Sequence, residues 1–313
     1  FHDDNFTLAT KDLTLKRLEA LAEALHKRGV DTNALGLLIK ARPDIIDNEV
    51  GDALRALGCT GVFLGNENAS KSGLRSLCRA TKMERIEEAL SVLRERGIAI
   101  TYNLLVFHPK AKPEEFLENI QFVENHIHLP FDFGRAEIVI GSPLERQVRE
   151  LHLLRGGWPR WDYALRDPHM NRIFEIFRHV FRHPHSPYSS VAHSAIALAY
   201  HAALVSRTYP GPATCAFSSD CENLLRTWNL SVVAAMKEVS RLGALQNYLE
   251  PMEELRKQLD GNCALTLTRM AQLQNPMMNY QRIRKIFRGF GVEDAVDGNG
   301  VIQWFSAGRI SPK

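Results

Sequence analysis

Between residues 1 and about 145 the side chains able to do chemistry recur just beyond short apolar runs. Asp3, Asp4 and Asn5 open the chain, Lys40 and Arg42 follow Leu35–Ile39, and Asn66, Glu67 and Asn68 follow Gly61–Leu64. Asn103 lies within Ile98–Val106 with His108 just after it, and Gly141, Ser142 and Pro143 follow Ala136–Ile140. In parallel α/β proteins ligands bind at the carboxyl ends of strands, which is where these residues would sit. Carboxylates, amides and one imidazole gathered there suit a polar ligand carrying both an amine and a carboxylate. Any one of them reads equally well as ordinary loop polarity, so the weight falls on the set.

The elements that would position them alternate in type. Apolar runs beginning near residues 1, 33, 60, 98 and 134 predict five strands, and helical patterns lie between them, as parallel β/α units require. The first helix, about Lys11 to Arg28, carries Leu18, Leu21, Ala22 and Leu25 on one face and stops at Gly29; similar helices stop at Gly58 and Gly97, and Pro113 starts another. The strands are nearly continuous apolar runs, which predicts burial on both faces. After about residue 145 the texture changes. Gly156 to Trp161 and Asp167-Pro168 read as a loop-rich junction, and helices follow at about 170–182, 190–206, 220–242 and 246–259, with a short hairpin or capping strand at Val301–Phe305. The predicted boundary near residue 150 separates five β/α units (1–150) from a mainly helical part (151–313).

Composition narrows the function classes. The 313 residues, 45% hydrophobic and 24% charged, suffice for two globular domains. A net charge of +3 spread along the chain suggests neither a nucleic-acid groove nor an anionic membrane face. No apolar run approaches the roughly 18 residues of a membrane span, and the start Phe1-His2-Asp3-Asp4 has no signal-peptide pattern, so the expected setting is the cytoplasm. The 5 cysteines form no CxxC pair and read as reduced thiols, Cys59 as a small core residue. His179 and His183 are spaced to chelate a metal from one helix face, but Arg178 and Arg182 beside them oppose a cation. Trp158, Trp161, Tyr163 and Tyr188 read first as packing between the two halves, and second as the wall of a pocket.

At this level the chain resembles a known family. Phe1-His2-Asp3-Asp4-Asn5-Phe6 resembles the F-x-D-D-x-F second strand of cobalamin-binding radical S-adenosylmethionine (SAM) enzymes. Gly58-Cys59 through Asn68 is similar to that family's G-C-x-x-v-x-l-G-v-E-S fourth strand, with Leu74 and Arg79 at its leucine and basic positions. Arg94-Glu95-Arg96-Gly97-Ile98 resembles the entry to the fifth strand, Asn103 through Pro109 its D/N-l-i-x-G-x-P, and Ile140 through Leu144 the p-G-T-p-L end of the sixth. The resemblance covers about half the chain, and its specificity lies in five elements in order.

The resemblance implies a partial (β/α)6 barrel of the TIM type lacking its first unit, a [4Fe–4S] cluster, SAM and, less directly, cobalamin. Asp3 and Asp4 would lie near the SAM amine or the substrate. Glu67, with Asn66 and Asn68, would contact SAM near its ribose, Arg79 would pair with its carboxylate, and Asn103 would reach the ribose or adenine side. It further implies a methyltransferase acting on a small-molecule or peptide substrate, free tryptophan being one conceivable case, with flavodoxin or ferredoxin as electron donor. Methylthiolation or cyclisation without cobalamin, or a non-catalytic interaction module on a degenerate barrel, are the alternatives. The sequence departs from the family in four places, one of them Asn68 where the family has Ser. It contains no CxxxCxxC, and thiolates are what hold such clusters, so an amino-terminal truncation is expected, with the cluster cysteines upstream of Phe1 and this polypeptide inactive alone. Phe107 stands where the family has Gly, and Pro109-Lys110-Ala111-Lys112 replaces Pro-Gly-Glu-Thr.

Overall fold

The computed structural model describes residues 5–157 and 159–289, with side chains as far as 279. Asp3, Asp4, Trp158 and the short strand expected at 301–305 lie outside the described residues. Within them the order is α1 (Lys11–Lys27), β1 (Leu37–Ala41), α2 (Asn48–Ala56), β2 (Cys59–Glu67), α3 (Lys71–Ser76), α4 (Met83–Glu95), β3 (Ala99–Phe107), α5 (Pro113–Asn125), β4 (Phe131–Arg135) and α6 (Pro143–Glu150). A short β5 (Leu154–Gly157) and β6 (Arg160–Tyr163) precede α7 (Pro168–Phe181), α8 (Tyr188–Thr208), α9 (Pro212–Gly243) and α10 (Leu249–Gly289). The four long strands form one parallel sheet in the order β1-β2-β3-β4, and a helical carboxyl-terminal half follows.

Local chemistry explains the borders. Thr10 caps α1 by accepting from the Leu13 N–H, Asp47 caps α2 through Val50, and Lys11 reaches from α1 to Asp47 and Glu49 at 2.7 Å each. Gly29, Gly58 and Gly97 stop their helices with φ of +69°, +98° and +62°, the left-handed region where a Cβ is costly. On the side of the first expected strand, the Phe6 N–H donates to the Lys40 carbonyl at 2.8 Å.

Three expectations need correction. The last strand of the sheet is not Ala136–Ile140 but Phe131–Arg135, paired with β3 through Tyr102↔Phe131 and Leu104↔Phe133. The branched run Ile138-Val139-Ile140 has strand propensity, yet Phe131 and Phe133 bury large rings and Val139 is left 64% exposed, so aromatic burial decides the register. The junction around Gly156 is an antiparallel hairpin rather than a loop, its arms too short for a period-2 pattern to show. Thirdly, the sheet is not buried evenly on both faces. Along β2, Val62, Leu64 and Asn66 are buried while Phe63, Gly65 and Glu67 are half-buried, and on β1 Leu38 and Lys40 are exposed.

One face packs on the helices that follow each strand. Tyr102 lies edge-on to Phe122 of α5 at 5.4 Å and stacks on Phe131 at 6.0 Å. Across the amino-terminal end of the other face runs α8. It is fastened by Tyr200, whose hydroxyl donates to the Gly36 carbonyl at 2.7 Å, and by Arg207, which donates to the carbonyls of Thr32, Arg55 and Cys59 at 3.2–3.3 Å. That approach is close enough to require glycine. A Cβ on Gly61 would stand 2.8 Å from Tyr200, and one on Gly36 2.5 Å from Leu204. The carboxyl-terminal end of the same face is not covered in this way.

The edge strand β4 is closed by rings. Phe133 meets Phe177 and Phe181 of α7 and Tyr188 of α8 at 5.2–5.8 Å, Phe107 meets Phe174 and Phe177 at 4.8–4.9 Å, and Tyr188 reaches Trp228 of α9 at 5.9 Å. One apolar cluster thus runs from the sheet into the helical half. Gly61→Ala should lower unfolding stability by about 1–3 kcal/mol through overpacking against α8. Gly261→Ala, on an exposed turn of α10 with nothing within 4 Å of its Cβ, should raise it by about 0.5–1 kcal/mol. Urea denaturation of the two variants checks the opposite signs.

Candidate functional site

The open end of the sheet lies at the carboxyl ends of β2 and β3. Between Leu64 and Glu67 the pairing of β2 with β3 shifts register, an irregularity of the kind that re-aims a side chain. Glu67 follows with φ +64°, a conformation that costs a non-glycine residue of order 1 kcal/mol and that clusters at functional sites. Its carboxylate accepts from Arg79 at 3.0 Å on one oxygen and from the Asn103 amide at 3.4 Å on the other. The Glu67 side chain is 14% exposed and that of Arg79 47%, so the pair stands at a mouth rather than in the core. Asn103 keeps its carbonyl oxygen Oδ1 buried with no hydrogen-bond partner among the described residues. Gly65 lies beside this carboxylate, a Cβ there standing 3.2 Å from Glu67 Oε1.

Next to the pair is a cavity of about 310 Å³, walled by Arg79, Leu105, Ala136, Val139 and Leu144 and floored by Gln147. Its size and mixed lining fit one end of a small organic molecule. Gln147 donates to the Ser76 carbonyl at 3.4 Å, and its own carbonyl oxygen is buried with no partner among the described residues. Sequence reading missed Gln147, Leu105 and Val139. A glutamine one turn into a short helix gives no signal until α3 and α6 are known to face each other.

Of the residues named from sequence, Glu67, Arg79 and Asn103 come together. Asn68 does not join them. It is fully buried, donates to the Leu105 carbonyl at 3.3 Å, and accepts from the Ser70 N–H, the Ser70 hydroxyl and Asn119 at 2.9–3.1 Å. Asn119 in turn accepts from the Ala69 N–H at 2.8 Å, and Gly73 packs so closely that a Cβ would lie 2.3 Å from the Asn68 side chain. This network holds the turn from β2 into α3, and so holds Glu67. Asn66 is buried as well, and among the described residues neither of its side-chain polar atoms has a partner. Ser142 caps α6 by accepting from Glu145, whose carboxylate accepts from the Gly141 N–H at 2.7 Å; that bond and Arg149 keep the carboxyl below its ordinary pKa.

His108, the imidazole of the sequence reading, is fully buried and its Nε2 lies 3.0 Å from Glu115. Phe107, standing where the family has Gly, turns its ring into the cluster with Phe116, Phe174 and Phe177. Tyr163 donates to the carbonyls of Phe107 and Ala136, and with Tyr188 it is packing, as first read. His179 and His183 pair with Glu253 and Asp260 of α10 at 2.9 and 3.1 Å, bridged by Arg256. Among the described residues no group of three or more His, Cys, Asp or Glu could hold a metal ion. The thiols of Cys59, Cys221 and Cys263 are separate and pushed up to about 12 by burial, so they do not fit an iron–sulfur cluster.

With this geometry in hand, comparison with solved structures shows a shared fold. The chain superposes over 97% of its length on the cobalamin-dependent SAM radical enzyme OxsB, in the form holding aqua-cobalamin and SAM, with a TM-score of 0.57 at 16% identity. The radical SAM methyltransferase TsrM from Kitasatospora setae, with tryptophan and a SAM analogue bound, matches 51% of the chain at 19% identity with a TM-score of 0.44. The chain shares the fold of OxsB, and it spans 50% of OxsB and 32% of TsrM. No protein-family model and no curated protein matches it. No helix among the described residues is long and apolar enough to cross a membrane.

Burial alone would raise the Glu115 pKa, but the hydrogen bonds from His108 and Ser72 outweigh it and hold the carboxyl below its ordinary 4.5. A depressed folded-state pKa contributes stability above that value, which is lost as pH falls through the folded pKa. Glu115→Gln should therefore destabilise the protein at neutral pH, with a deficit against wild type that shrinks below about pH 4.5. Urea unfolding from pH 7 to pH 3 measures it.

Proposed function

We propose that this chain is the SAM-binding and substrate-shaping portion of a cobalamin-dependent radical SAM enzyme, of the methyltransferase kind, acting on a small-molecule or peptide substrate. The observation that carries the reading is the Glu67–Arg79–Asn103 group beside the 310 Å³ cavity, at the strand ends of a chain with the fold of OxsB. In this reading the four strands belong to a partial (β/α)6 barrel whose lumen is the half-open face. Residues 151–313 form the part that shapes the substrate pocket.

The residues present fit SAM. A carboxylate already held by Arg79 and Asn103 retains lone pairs for the two ribose hydroxyls, and because it is fixed before the ligand arrives, little ordering is lost on binding. Arg79 uses one of its five donors on Glu67 and keeps others for the methionine carboxylate, a charge-assisted pair. The unpartnered Asn103 oxygen accepts one N–H or O–H. Leu105, Val139 and Leu144 supply an apolar slot for a flat ring. Asn68, Ser70 and Asn119 hold the turn that presents Glu67, so they act on SAM through position.

When bound, SAM supplies the methyl group or the adenosyl group for radical chemistry. The cluster that such chemistry uses has no ligand set among the described residues, and the cobalamin part of the reading rests on the likeness to OxsB. Glu67→Gln and Arg79→Ala should each weaken SAM binding at least tenfold in isothermal titration, with thermal melts showing intact folding. Wild-type affinity in both variants would remove the site.

A further inference from the structure

A second cavity, about 740 Å³, adjoins the first and shares Ser76 and Gln147 with it. Its distinguishing feature is charge. Arg75 of α3, Lys110 and Lys112 of the turn before α5, and Arg166 of the turn before α7 all line it, and among the described residues none of the four makes an ion pair or a side-chain hydrogen bond. The carboxylates facing the same space are both engaged elsewhere. Glu115 is held by His108 and Ser72, and Asp167 caps α7 by accepting from the Met170 N–H at 2.9 Å. Four unpaired cations against two occupied carboxylates leave a positive concavity.

Two helix starts add to it. Helix α5 begins at Pro113 with Lys112 in the cap position and no side-chain cap, so a cation stands at the positive end of the helix where Ser, Asp or a bound anion is preferred. Helix α7 begins at Pro168, and Arg166 precedes its cap. Like charges set around one cavity repel one another, and placing two of them at helix amino termini adds to that repulsion. An anion in the cavity would relieve both terms at once.

We infer that this cavity binds a small molecule carrying two or more phosphoryl groups. A single phosphate would satisfy one or two of the cations, whereas a diphosphate reaches cations from α3, the pre-α5 turn and the pre-α7 turn together. The volume lies within the range of small-molecule pockets. Gln147 forms the wall between the two cavities, its carbonyl oxygen buried and free to accept from a ligand crossing from one to the other. That this molecule is the substrate, with its phosphates anchored here and its remainder directed toward SAM, rests on the proposed function; the anion site itself does not.

Titration of the 313-residue chain with inorganic pyrophosphate at about 0.15 M ionic strength tests the inference. Wild type should bind it, Arg75→Ala/Arg166→Ala should bind at least tenfold more weakly, and Lys110→Ala/Lys112→Ala should do the same, so that a folding defect in one pair does not decide the outcome. Glu67→Gln should bind pyrophosphate as wild type does. That arm separates the two proposals, since loss of SAM binding with pyrophosphate binding kept removes neither. No binding by wild type, wild-type affinity in both double variants, or sulfate binding as tightly as pyrophosphate would each overturn it.

Discussion

Phe133 stands at the junction on which the rest of the molecule depends. It lies on the edge strand of a four-stranded parallel sheet, and its ring is enclosed by Phe177, Phe181 and Tyr188. Edge strands invite pairing with other chains unless something covers them, and here that cover is α7. The same contacts bring in the start of α8, which then crosses the sheet to Gly61 and Gly36. Aromatic packing at one edge therefore determines which part of the sheet is covered and which is left open.

What is left open is the carboxyl-terminal end of one face, and the chain concentrates its irregular features there. The register shift in β2, the left-handed Glu67, the buried unpartnered oxygens of Asn103 and Gln147 and two neighbouring cavities all fall within that region. A turn holding a strained carboxylate needs firm support, and Asn68, Ser70, Gly73 and Asn119 supply it from beneath.

Much of this was legible in the sequence. The glycine stops, the Pro113 start, the amphipathic faces of α1, α2, α4 and α5 and the mainly helical second half follow from short-range rules that tertiary structure did not override. The grouping of Glu67, Arg79 and Asn103 was legible only through the resemblance, because a strand end, a helix exit and a neighbouring strand meet in space and not in sequence. Three things were hidden for physical reasons. Ala136–Ile140 lost the strand position to Phe131–Arg135 because burying two rings outweighs the propensity of three branched residues. Asn68 looks like Asn66 and Glu67 in sequence, but its role depends on Asn119, fifty-one residues away. The half-open face could not be seen in apolar runs, since Gly61 and Gly36 mark where α8 lands only once α8 is known to land there.

The central claim is that the open end of the sheet is a SAM site built around Glu67. A crystal structure of this chain grown with SAM measures it directly. The account predicts the ribose hydroxyls within hydrogen-bond distance of the Glu67 carboxylate and the adenine between Leu105, Val139 and Leu144. SAM bound elsewhere, with the Glu67–Arg79 pair and its cavity unchanged, would contradict it.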